Sequence, residues 1–154
     1  MPVIADLNAL PERRGTTYPP DYADAVAGRV KRILTEPLGL TQFGVNLTTL
    51  EPGAMSSQRH WHTSEDEVVY VVTGELTLVT KEGETVLRPG MVAGFPAGDR
   101  NGHHLINRSP TPATYLEIGT RAKDDEVEYP DIDMKGVKRG GQMRFSRKNG
   151  EPFA

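Results

Sequence analysis

Apolar and polar positions alternate along several short stretches of the chain, most cleanly from Gln42 to Leu50, Glu67 to Thr73, Glu75 to Thr80, Thr85 to Arg88 and Thr114 to Thr120. A period of two sends successive side chains to opposite faces of a strand, so each stretch predicts a β-strand. Val, Leu, Thr and Tyr supply most of the residues, which suits a pleated surface. Gly74 and the Glu82-Gly83 pair fall between neighbouring stretches and read as turns. The connections leave no room for crossover helices. Antiparallel neighbours in a sandwich or jelly-roll barrel follow, and a parallel α/β sheet does not.

The ends of the chain read differently. Residues 1–37 form an N-terminal arm interrupted by Pro11, Pro19 and Pro20, with a short helical piece at Asp21 to Val26 and a basic strand candidate at Arg29 to Thr35. Residues 38–122 hold the barrel. Residues 123–154 turn polar and irregular through Asp124, Asp125, Glu126 and Glu128, while Met143, Phe145 and Phe153 offer an apolar means of docking. The five basic residues from Lys135 to Arg147 are broken by Gly136, Gly140 and Gly141 and read as a solvated tail. The expected fold class is all-β, a barrel with irregular N- and C-terminal extensions.

A chain of 154 residues supports one core and one site. With 18 basic and 21 acidic residues and a net charge of −3, it lacks the basic surface that grips a phosphate backbone, so nucleic acid is not an expected partner. No apolar run approaches the roughly 20 residues of a membrane span, and Met1 to Asp6 lacks a basic start followed by an apolar stretch. The expected setting is cytoplasmic and the expected partner a small molecule. With no cysteine, any metal must be held by nitrogen and oxygen.

All four histidines fall in two tight pairs, His60 with His62 and His103 with His104. A His-x-His spacing on a strand turns both rings to one side, and a short turn through Thr63, Ser64, Glu65 and Asp66 returns the Glu67 carboxylate beside them. On its own the spacing also fits two polar residues of a solvated strand. The surroundings extend the pattern to Gly53-x6-His60-x-His62-x4-Glu67-x6-Gly74 and, later, Gly90-x5-Pro96-x-Gly98-x4-His103-x3-Asn107.

In residue types, order and intervals these two stretches resemble the paired motifs of the cupin superfamily. Two departures stand out: six residues rather than five separate Gly53 from His60, and Gly98 is followed by Asp99-Arg100-Asn101-Gly102, two residues more than the usual pattern. The resemblance implies a double-stranded β-helix, the cupin jelly-roll barrel, with His60, His62, Glu67 and His103 as metal ligands. His103 is selected over His104 because its His-x3-Asn interval lands on Asn107. Three imidazoles and one carboxylate suit one divalent transition metal, whether manganese, iron, nickel, cobalt or zinc, and leave two positions open in six-coordinate geometry. Such a site implies metal-dependent isomerase, lyase or dioxygenase chemistry on a small oxygen-rich metabolite, or else a non-catalytic binding or sensing module. The chain is most similar to small free-standing bacterial cupins compared with sugar-phosphate isomerases.

Further candidates follow from strand alternation. Gln58, two residues before His60, should face the cavity, with Arg59 and Trp61 facing away. Glu67 inward places Val69 and Val71 on an apolar wall and leaves Val68, Tyr70 and Val72 outside, where an exposed apolar face predicts a homodimer. Tyr115 and Glu117 share one face and are substrate-binding candidates if that face is the inner one; with Leu116 and Ile118 inward they would instead form a polar outer face. Arg100, in the polar loop before His103, is placed to hold a carboxylate or phosphate, or is a turn charge in solvent.

Overall fold

The computed structural model describes residues 3–154. Twelve strands dominate it: β1 (Arg29–Ile33), β2 (Phe43–Leu50), β3 (Trp61–His62), β4 (Glu67–Thr73), β5 (Leu76–Thr80), β6 (Gly83–Leu87), β7 (Val92–Phe95), β8 (His104–Ile106), β9 (Ala113–Thr120), β10 (Asp125–Glu128), β11 (Lys135–Arg139) and β12 (Gln142–Ser146). The stretches of strict alternation all become strands, with ends within two residues of those expected. The helical piece is a single turn, Pro20–Ala23, continued by a 3-10 turn at Asp24–Val26.

Every strand pairing is antiparallel. A five-stranded sheet runs β1-β2-β9-β4-β7, a three-stranded sheet runs β6-β5-β8, and a four-stranded sheet runs β12-β11-β10-β3. Leu50, Val69, Val71, Leu76, Leu87, Leu105, Ala113 and Tyr115 close the core between the first two sheets. Gly74 turns the chain from β4 to β5 with φ 74°, and a Cβ there would sit 2.7 Å from that of Ala113, so both the left-handed backbone and the close approach require glycine.

The two extensions are more ordered than their sequences suggest. The basic strand β1 pairs along its whole length with β2, which makes the end of the expected arm an edge of the main sheet. The C-terminal segment is no irregular tail: β10, β11 and β12 form a meander whose first strand pairs with β3, Val127 opposite His62. Its charges are matched across strands, Lys135 with Glu126 and Glu128, and Arg139 with Glu126. Tyr18 and Tyr22 from the N-terminal segment pack with Val127, Tyr129, Met134, Met143, Phe145 and Phe153 in a second apolar cluster, which fastens both extensions together beside the barrel.

Candidate metal centre

The site is assembled by one backbone contact and one turn. His60 and His103 form an antiparallel bridge, with His60 N–H donating to the His103 carbonyl (3.1 Å) and His103 N–H to that of His60 (2.9 Å). This joins the two histidine segments directly. After β3 the turn through Ser64 brings Glu67, the first residue of β4, back beneath them. The three imidazoles then converge on one carboxylate oxygen: Glu67 Oε2 lies 2.9 Å from His103 Nε2, 3.4 Å from His60 Nε2 and 3.5 Å from His62 Nε2. His60, His62 and Glu67 offer ligand atoms all within 4.8 Å of one another, and His103 joins them through Glu67.

Each ring is held from behind. His62 Nδ1 donates to Asp125 Oδ2 at 2.6 Å, and Asp125 itself accepts from the Ser64 N–H (2.8 Å) and the Thr63 hydroxyl (3.2 Å). His60 Nδ1 lies 2.9 Å from the Gln58 carbonyl and 3.2 Å from Ser57 Oγ. The His103 ring stacks on Phe95 with centroids 3.5 Å apart and planes 2° from parallel, while its buried Nδ1 has no partner. When Nδ1 of His60 and His62 carries the hydrogen, the Nε2 lone pairs aim at a carboxylate oxygen. Acceptors facing acceptors at such distances call for a cation between them. An octahedral ion with bonds of about 2.1 Å holds adjacent ligand atoms about 3 Å apart, so the donor set fits a divalent transition metal.

Electrostatics follow the same lines. Burial raises the Glu67 pKa, but the imidazoles of His103, His60 and His62 around it outweigh this and hold the carboxyl well below its usual range. Burial lowers the His62 pKa, and the Asp125 hydrogen bond with the nearby Glu67 charge reverses this, giving a net rise. At His103 burial, helped by the neighbouring His60 and His62, outweighs the Glu67 contact and lowers the pKa. Glu65 and Asp125 also approach His62. That group does not resemble a second metal site, because Glu65 is paired with Lys138 and Asp125 is filled by donors.

Beside the histidines opens a cavity of about 170 Å³. His60, His103, Glu67 and Phe95 line one part; Tyr18, Arg29, Lys31, Tyr115 and Glu117 line another. Tyr115 and Glu117 thus face inward, and the polar outer face with Leu116 and Ile118 inside is not what forms. The inner side of this sheet borders a cavity that accepts polar groups, and the apolar residues of β9 lie on the outer side instead. Lys31 Nζ donates to Glu117 Oε1 (2.8 Å), as does Asn46 Nδ2 (3.2 Å), and the Tyr115 hydroxyl is 3.4 Å from Glu117 Oε2.

Gln58 does not line the cavity. Its segment is a bend rather than a strand, so alternation does not extend back from His60, and its amide donates to the Tyr22 carbonyl (3.2 Å). Ser57 takes the place beside His60. Arg100 is exposed, with its guanidinium 6.0 Å from the Trp61 ring centroid, and contributes nothing to the cavity wall. His104 begins β8 and lies outside the cavity, and burial lowers its pKa to about 4. Sequence reasoning missed Asp125, Arg29 and Lys31. The alternating Arg29-x-Lys31 spacing was a signal for the last two; Asp125, in a run of acidic residues, offered none.

A cupin domain profile matches residues 46–119. The sugar phosphate isomerase of the cupin superfamily from Silicibacter pomeroyi DSS-3 is 45% identical, with TM-score 0.93 over 97% of this chain and 95% of that one. A candidate sugar phosphate isomerase from Acidithiobacillus ferrooxidans is 28% identical, with TM-score 0.73 over 83% of each chain. A polyketide cyclase from Streptomyces resistomycificus, 16% identical with TM-score 0.64 over 78% of this chain and 80% of that one, shares the fold. No protein of curated function matches the sequence. Two linked histidine motifs, an antiparallel double-sheet barrel and near full-length likeness to a member agree: this chain belongs to the cupin superfamily.

Proposed function

We propose that the protein is a metal-dependent enzyme that isomerises a small hydroxy-carbonyl compound, of the class to which sugar phosphates belong. One observation carries the choice of isomerase over lyase or dioxygenase: a second carboxylate, Glu117, stands in the cavity of the histidine cluster. In sheet register it lies opposite Val69, two residues along β4 from Glu67, a diagonal of about 7–8 Å that leaves room for a substrate between them.

A divalent ion held by His60, His62, Glu67 and His103 would supply Lewis acidity to a substrate carbonyl and so acidify the neighbouring C–H. Glu117 Oε2 takes the proton from that hydroxyl-bearing carbon and returns it to the former carbonyl carbon, while the hydroxyl proton passes to the former carbonyl oxygen. Nothing is consumed. Burial raises the Glu117 pKa, but the Lys31 charge and hydrogen bond outweigh it and lower it overall. The base is therefore ionised at neutral pH, and its own protonation sets in only below the ordinary carboxylate range, after protonation of the imidazoles has begun to weaken metal binding.

Metal-loaded protein incubated with small hydroxy-aldehydes and hydroxy-ketones, free and phosphorylated, in deuterated water tests this. We expect deuterium at the carbon next to the carbonyl by NMR, and Glu117→Gln should lose about 10²–10⁴-fold of that rate with metal content unchanged. A Glu117→Gln variant that exchanges at the parent rate would overturn the role. Metal uptake with neither exchange nor oxygen consumption would favour a binding or sensing module. The same reading includes a homodimer, supported by the apolar outer face of the five-stranded sheet.

A further inference from the structure

The cavity wall carries one cation, Arg29, that the proposed proton transfer leaves unused. In β1, residues 29, 31 and 33 take the inner face of the main sheet, since Lys31 pairs with Thr48, which pairs with Tyr115, and Arg29 pairs with Leu50, which pairs with Ala113. Glu67 belongs to the row of Gly119 and Gly44. Lys31 therefore lies two inner-face rows along the sheet from Glu67 and Arg29 three, on a strand three places away. The histidine cluster and Arg29 nevertheless line one cavity.

Most neighbouring cations are already neutralised. Arg13 pairs with Glu36, Arg14 and Arg32 with Glu12, and Lys31 with Glu117. Arg29 pairs with no carboxylate among the described residues. Instead Nη1 donates to the Ser56 carbonyl and Nη2 to that of Gly15 (3.4 Å). Two backbone carbonyls fix the position of a half-buried guanidinium without cancelling its charge, and they leave part of its five-donor fork open. A charge drawn out of water without a counter-ion is costly, and an arriving oxyanion would remove that cost while filling the fork.

We propose that Arg29 holds the oxyanion group of the substrate, a phosphate or a carboxylate, at the end of the cavity away from the histidines. The substrate is then a compact anion whose carbonyl end reaches the metal ligands. This rests on reading the cavity as the substrate site; the basic strand is visible in the linear sequence, but the fixing of Arg29 is not, because residue 29 meets residues 15 and 56 only in the fold.

The test uses the full chain stripped of metal with a chelator, titrated separately with inorganic phosphate and with acetate at ionic strength held constant by sodium chloride, and followed by amide chemical shifts. Saturable oxyanion binding is expected. Arg29→Met should weaken it about 10–100-fold, Arg29→Lys less, and Arg108→Met, a surface cation paired with Glu84, not measurably. Tighter phosphate points to a phosphate ester as substrate, and tighter acetate to a carboxylate. Equal binding by Arg29→Met and the parent, or no saturation in either titration, would overturn the assignment. So would loss of metal from Arg29→Met, which should retain it fully. Because the titration needs neither metal nor turnover, failure of the isomerase reading leaves this result standing.

Discussion

At the scale of single residues, neighbours in sequence have unlike tasks. His103 reaches Glu67 with Nε2 while His104, next along the chain, lies outside the cavity, so His103→Ala should strip the purified protein of most of its metal and His104→Ala should keep it. Metal content of the two variants, with His60→Ala as control, decides this; the reverse result would move the ligand assignment by one position. The gathering of His60, His62, Glu67 and His103 around one carboxylate oxygen was legible in the spacing once it was read through the resemblance to the cupin motifs, because residues on facing bridge positions and strand ends recur at short fixed intervals. Tyr115 and Glu117 were legible as a pair but not as to side. Alternation gives which residues share a face, and the usual apolar-in rule assigns the face wrongly where the interior is a polar cavity and the exterior carries Leu116 and Ile118.

At the scale of elements, β10 matters more than its four residues suggest. It places Asp125, 1% exposed, behind His62, and a carboxylate there fixes the tautomer and angle of the ring. Asp125→Asn keeps the shape but removes the charge, and should cost about 10–100-fold in metal affinity, measured by competition with a chromogenic chelator. An affinity unchanged within twofold would show that the ring needs no such support. The strand was illegible because Asp-Glu-Val-Glu has weak β-propensity. What holds it is Lys135 and Arg139 across the meander, a complementarity that exists between segments and is invisible within any one. By contrast β4 and β9, rich in Val, Tyr, Leu and Ile, declared themselves.

At the scale of the whole molecule, the outer face of the main sheet carries an apolar row across four strands, Leu47, Leu116, Tyr70 and Val92, flanked by Val45, Ile118 and Val68. Tyr70, Val72 and Val92 are 41, 40 and 60% exposed in the isolated chain. A second copy covering this face is the expected remedy. Light scattering at micromolar concentration should give about twice 16.9 kDa, and Tyr70→Asp should halve that mass while leaving metal content unchanged, since the residue points away from the cavity. A monomeric parent protein would refute this. No helix among the described residues is long and apolar enough to cross a membrane. One consequence concerns the order of events during synthesis. The histidines emerge from the ribosome by residue 103, yet the group that orients His62 comes at 125, and the meander that seats it extends to 146. A nascent chain paused between those points would carry the candidate ligands without their alignment, so any discrimination among competing ions is expected only of the chain in which that meander has been made.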